Sequence, residues 1–188
     1  MREDIIAELS ESVRVKEGVK KEAGGIEEAA SIIANAFKSG NKLLLCGNGG
    51  SAADCQHIAA EFVGRFKRER RALPAIALTT NTSTLTALTN DYSGDIIFSR
   101  QVEALGKKGD ALLAISTSGA SPNITKAIET AKSIGMKTIG LTGEKGEKMR
   151  KMCDVCITAP SPDTPRIQEA HLAIEHIICG IIERQISK

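Results

Sequence analysis

The sequence lacks a surplus of charge of either sign. Its 25 Lys and Arg stand against 23 Asp and Glu, a net charge of +2 over 188 residues, and no long basic tract gathers the cations. Nucleic acid is therefore not expected as a partner. One run, Arg65-Phe66-Lys67-Arg68-Glu69-Arg70-Arg71, offers a local patch for an acidic surface, but it reads better as a solvated helix end. No apolar stretch approaches membrane-spanning length, and Met1-Arg2-Glu3-Asp4 begins with charges where a leader would be apolar, so a soluble cytoplasmic chain with no membrane partner is expected. Cysteine is sparse and odd in number, at five. Cys46, Cys55 and Cys179 fall inside apolar or helical patterns where a buried thiol is ordinary, which suits a reducing compartment. Cys153 and Cys156 form one C-x-x-C with no second pair to complete a zinc ribbon, and Val155-Cys156-Ile157-Thr158 reads as a short strand. Internal repeats and low-complexity linkers are also missing, so the 188 residues should form one domain with a substantial core.

What is present is an alternation of helix and strand. Asp4 to Lys20 and Gly25 to Ser39 carry apolar residues at helical spacing (Ile5, Ile6, Leu9, Val13; Ile26, Ala29, Ile32, Ile33, Phe37) and predict an N-terminal helical pair within residues 1–40. Residues 41–188 follow with five apolar strands, Lys42–Cys46, Ala75–Leu78, Ala111–Ile115, Lys137–Leu141 and Val155–Thr158. Helical segments separate them, among them Ser51–Phe66, Asn123–Ile134 and a last one from Arg166 to Gln185. Strands without polar alternation, each followed by a helix, indicate an α/β fold: a three-layer αβα sandwich around a five-stranded parallel sheet. Pro74, Pro122 and Pro165 sit at element starts, where a fixed φ is tolerated.

Two turns rich in glycine and hydroxyls join a strand to a helix. They are Cys46-Gly47-Asn48-Gly49-Gly50-Ser51 and Ser116-Thr117-Ser118-Gly119-Ala120-Ser121. A strand that ends in small residues and opens a helix presents free N–H groups and the positive end of the helix dipole to one spot, which favours phosphate. Any one such turn is explained by helix capping. Two of them at the carboxyl edge of one sheet, with Thr89-Asn90-Asp91 after the hydroxyl-rich stretch Thr79 to Thr86, point to a phosphorylated, sugar-like ligand. Neither turn is a Walker loop or G-x-G-x-x-G, so nucleotide binding is disfavoured.

A second constellation has metal-ligand character. His57 and Glu61 are four apart on one predicted helix and share a face. Gln168 and His176 are eight apart on the last helix, about 80° around its axis. Two nitrogen and two oxygen donors suit tetrahedral zinc, although Glu175 or His171 competes geometrically with Gln168 and an i,i+4 His/Glu pair is often a surface hydrogen bond.

Taken together, Cys46-Gly-Asn-Gly-Gly-Ser51, His57-Ile-Ala-Ala-Glu61, Asn90-Asp91, Ser116-Thr-Ser-Gly119 with Ser121, and Arg166-Ile-Gln-Glu-Ala-His171 with His176 resemble the phosphoheptose isomerase branch of the sugar isomerase (SIS) fold. The likeness runs in order over nearly the whole chain. The Ser-rich motif marks only the fold, whereas His57, Glu61, Gln168 and His176 together are more specific. The resemblance implies interconversion of sedoheptulose 7-phosphate and D-glycero-D-manno-heptose 7-phosphate, an entry step to the heptose of bacterial lipopolysaccharide. It implies zinc, one per subunit, on His57, Glu61, Gln168 and His176. It places phosphate on Ser116, Thr117, Ser118 and Ser121, and the sugar on Asn48, Gly49, Gly50, Ser51, Glu61, Asn90, Asp91 and Gln168, with Glu61 and His176 catalytic. It further implies a homotetramer packed through the N-terminal helices, with active sites near subunit interfaces. Some relatives carry an aspartate where this chain has Pro165, so no role of that carboxylate transfers. Two alternatives are a non-catalytic SIS regulator, like the one that binds the bacterial replication initiator, and a protein for another sugar phosphate. The presence of both Glu61 and His176 speaks against the regulator.

Overall fold

The computed structural model describes residues 1–186. Among them are five strands, β1 (Leu43–Gly47), β2 (Ala75–Ala77), β3 (Ala111–Ser116), β4 (Lys137–Gly143) and β5 (Val155–Ala159). All neighbours pair in parallel, in the order β2-β1-β3-β4-β5. Successive residues point to opposite faces, so Leu43, Leu45, Leu113, Ile115, Ile139 and Leu141 enter one core while Leu44, Cys46, Leu112 and Ala114 enter the other. Burial on both faces is why the strands are written as unbroken apolar runs.

The first face is covered by α1 (Arg2–Gly18), α2 (Ala23–Lys38), α3 (Gly50–Val63) and the long α8 (Thr164–Ile186), and a 3-10 turn, Val19–Glu22, joins the first two. The second face is covered by α5 (Ser99–Leu105), α6 (Pro122–Ile134) and α7 (Glu147–Met152). Ser12 donates to Glu169 and Arg166 donates to the Glu8 carbonyl, which fastens α1 to α8. The opposite side of α1 leaves Ile5, Ile6, Leu9 and Val13 more than half exposed.

The expected architecture is present, with two local differences. The hydroxyl-rich stretch from Thr79 to Thr86 is a turn only as far as Asn81. Asn81 accepts from the Thr84 N–H and so caps an unanticipated helix, α4 (Thr82–Asp91), which has no buried residue. Asn90 and Asp91 therefore end a helix about 14 Å beyond its start. In addition α3 stops at Val63 rather than Phe66, and the charge run that follows is not simply solvated, because the Arg70 side chain is only 3% exposed.

The strand order reverses between β1 and β3. From that seam the β1 loop leads to α3 on one face and the β3 loop leads to α6 on the other. A crevice at such a switch point is where open α/β sheets bind ligands.

Candidate active site

Both glycine- and hydroxyl-rich turns lie at this seam, where the first touches the start of α6 that the second opens. The Asn48 and Asn123 carboxamides exchange two hydrogen bonds of 2.9 Å. In the second turn the Ser116 hydroxyl is 3.4 Å from that of Ser118 and 3.2 Å from that of Ser121. Gly119 sits at φ 64°, and a Cβ there would come within 2.5 Å of the Gly146 Cα, so a side chain is excluded twice over. The Ser116 and Ser118 hydroxyls accept from the Gly119 and Ala120 N–H groups within the turn, and none of the turn's hydroxyls caps α6. Ser121 occupies the N-cap of α6 without a side-chain cap bond, and Gly49 at the N-cap of α3 has no side chain to offer. The start of α3 therefore keeps the N–H groups of Gly50 and Ser51 for an anion, whereas at α6 Pro122 has none and those of Ile124 and Thr125 donate to the Ser121 carbonyl.

Beside the Ser loop is a pocket of about 360 Å³ lined by Thr117, Ser118, Lys145, Ser161 and Thr164. Sequence reasoning did not single out Lys145, which lines this pocket together with Glu144 and so brings a cation and an anion next to the hydroxyls. The available signal was its place in Gly143-Glu144-Lys145-Gly146, the turn at the carboxyl end of β4.

The second constellation forms between α3 and α8, which run side by side on the first face. Three levels are visible along them. At the first, the Gln168 carboxamide lies on Gly50, where a Cβ would collide with its Nε2. At the second, His57 Nε2 is 2.9 Å from His176 Nε2 and 3.5 Å from Glu61 Oε1. At the third, Glu183 accepts from the backbone N–H groups of Phe66, Lys67 and Arg68 and pairs with Arg70 at 3.6 Å. Burial opposes the Glu183 charge, but those N–H donors and Arg70 outweigh it and hold the carboxyl below its usual range. Arg70 in turn donates to the carbonyls of Glu61, Phe62 and Gly64, closing the end of α3. The loop fixed in this way lays the Phe66 ring on His176, with centroids 5.5 Å apart and planes at 21°.

His57, Glu61 and His176 thus come together as the sequence spacing anticipated, with one ligand atom from each lying within 4.8 Å of the others. Tetrahedral zinc at about 2.1 Å from imidazole and carboxylate donors would place those donors roughly 3.4 Å apart, so the two-nitrogen, one-oxygen set fits such an ion. Gln168 shares their stripe but stays at the Gly50 level, two turns away. Its competitors face elsewhere. His171 is buried with Nε2 3.1 Å from the Thr142 carbonyl, and burial lowers its pKa to about 4. Glu175 is also buried, its carboxylate oxygens have no hydrogen-bond partner, and burial with nearby Asp54 raises its pKa well above the usual value. Asn90 and Asp91 are exposed and hydrogen-bond each other at 2.8 Å, apart from both constellations in the single chain.

The comparisons with known proteins agree with this geometry. The signature of the SIS domain family matches residues 9–143. The phosphoheptose isomerase of Aliarcobacter butzleri is 59% identical over 86% of this chain and 86% of its own length. That of Clostridium acetobutylicum is 54% identical over 99% of this chain and 96% of its own. The solved structure of the Neisseria gonorrhoeae phosphoheptose isomerase superposes with a TM-score of 0.92 at 43% identity, covering 97% of this chain and 98% of that one. With both constellations in place and relatives this similar over most of their length, the chain belongs to the SIS domain family and, within it, to the phosphoheptose isomerases.

Proposed function

We infer that the protein is an aldose–ketose isomerase that interconverts sedoheptulose 7-phosphate and D-glycero-D-manno-heptose 7-phosphate. The observation that carries this reading is the meeting of His57, Glu61 and His176 between α3 and α8, in a chain more than half identical to proteins named for that activity. The reaction takes a proton from C1 of the heptulose, returns one to C2 and moves the hydroxyl proton from O1 to O2. It passes through an enediolate with negative charge on oxygen. Glu61 and His176 are the base and acid of the group, and the two levels of α8 between Gln168 and His176 give the sugar a track along α3. Zinc, one per subunit, would be held by His57, Glu61 and His176, with Gln168 as fourth donor after its side chain leaves Gly50. When bound, it supplies positive charge next to the developing oxyanion.

Ser116, Thr117, Ser118 and Ser121 hold the phosphate, and Asn48, Gly49, Gly50, Ser51 and Gln168 line the sugar. Remote phosphate binding keeps the reacting carbons in register. The exposed apolar stripe of α1 supports assembly through the N-terminal helices, and the reading includes a homotetramer in which Asn90 and Asp91 reach the sugar from a neighbouring subunit. No helix among the described residues is long and apolar enough to cross a membrane; the reading puts the reaction in the cytoplasm, and a phosphorylated sugar, which does not cross membranes unaided, supports it. Incubating zinc-loaded protein with sedoheptulose 7-phosphate should give aldose signals by NMR. A loaded, folded protein that gives none would rule the reading out.

A further inference from the structure

We propose that Cys153 and Cys156 are a vicinal dithiol that peroxide converts reversibly into an intrachain disulfide. Cys153 ends α7 in an extended conformation, and Cys156 lies in β5 opposite Gly140 of β4. A Cβ on Gly140 would come within 2.7 Å of Cys156 Sγ and 3.1 Å of Cys153 Sγ. Both sulfurs therefore occupy the one hollow that the missing side chain leaves over the sheet. They are also accessible. Cys153 and Cys156 are half-buried at the sheet edge, whereas Cys46, Cys55 and Cys179 are buried.

The surroundings divide the roles. Arg150 donates to Thr158 beside Cys156, and Lys132 donates to the Met152 carbonyl beside Cys153. The Cys153 thiol, followed by Arg150, pulls the Cys156 thiol below its ordinary range, while Cys156 and burial push Cys153 far up. Cys156 is thus the nucleophile and Cys153 the resolving thiol. A metal centre is not indicated, because among the described residues no further His, Asp or Glu joins the two thiols in a metal-holding group.

The chemistry balances with one peroxide. The Cys156 thiolate attacks one oxygen of H2O2, the O–O bond breaks, hydroxide leaves and Cys156 becomes a sulfenic acid. The Cys153 sulfur then attacks the Cys156 sulfur, forming S–S and expelling hydroxide, which takes the Cys153 proton. Two thiols and one H2O2 become one disulfide and two waters, with sulfur oxidised and oxygen reduced.

The test uses the reduced full chain, treated with hydrogen peroxide, then denatured and alkylated. The expected product is lighter by about 2 Da before alkylation, the loss of two hydrogens, and the peptide carrying Cys153 and Cys156 takes no label. Cys46, Cys55 and Cys179 take one label each, and dithiothreitol restores labelling of all five. In Cys153→Ser, dimedone should trap a sulfenic acid on Cys156, while in Cys156→Ser trapping on Cys153 should be at least tenfold slower. Full labelling of the wild-type pair at peroxide doses that oxidise free glutathione would overturn the proposal. So would a product linked between chains. The wild-type measurement needs no variant, so a folding defect in either serine form leaves the test intact.

Discussion

Glu61 carries two assignments that pull against each other, since a carboxylate bound to a metal is a weaker base than a free one. Glu61→Gln separates them, because it keeps a neutral oxygen donor and removes the ionisable group. We expect Glu61→Gln and His176→Gln each to lower kcat by about 10²–10⁴-fold, the range for general acid–base catalysis, with substrate still bound through the Ser loop. Stopped assays run beside zinc analysis check this. Near-normal turnover of Glu61→Gln at full zinc content would contradict the assigned chemistry. His171 gives a different prediction. Its folded pKa is lowered from 6.5 to about 4 by burial, so between those values the unfolded chain binds more protons than the folded one. The stability this group contributes is complete above 6.5 and is lost as pH falls toward 4, by about 2 kcal/mol between pH 7 and pH 5. Urea unfolding at those two pH values should show that difference between wild type and His171→Leu. At this scale the sequence conveyed the His57/Glu61 pairing, because one helix fixes it. It conveyed less about Gln168, because spacing on α8 gives the stripe but not the level on α3 that each side chain meets. It misrepresented Arg70, since a run of charges looks solvated unless its partner, Glu183 far along the chain, is known to lie beneath it.

The strands were legible because burial on two faces leaves no polar positions, and the Ser- and Gly-rich turns because each follows such a strand directly. α4 was not legible. Threonine and serine favour turns over helix interiors, and only Asn81, accepting from the Thr84 N–H, announced a helix start. The turn after β3 makes its prediction as a unit. On the proposed reading its hydroxyls hold phosphate equally in ground and transition states, so Ser118→Ala or Ser121→Ala should raise KM with little change in kcat. An unchanged KM with much lower turnover would remove the phosphate role. The loop after α3 depends instead on one carboxylate. Glu183→Ala would leave Arg70 buried without a counter-charge and three N–H groups without an acceptor, a loss of about 3 kcal/mol or more. Thermal melts should register that loss, and the Phe66 ring should leave His176.

For the molecule as a whole, the apolar stripe on α1 predicts that assembly is mutable from the surface. Leu9→Lys with Val13→Lys alters residues already exposed in the single chain, so it should dissociate the proposed tetramer in sedimentation velocity without unfolding the sheet. A tetramer unaffected by both charges would place the interface elsewhere. The exposed α4 carries the matter further. A helix of ten residues is marginal in water by itself, and this one has little of its own chain to lean on. If Asn90 and Asp91 meet the sugar only where a neighbour steadies α4, the number of competent sites depends on how crowded the solution is with copies of the same chain. Dilution would then act as an inhibitor: turnover per chain would fall, and amide exchange in α4 would quicken, while the circular dichroism of the sheet stayed the same.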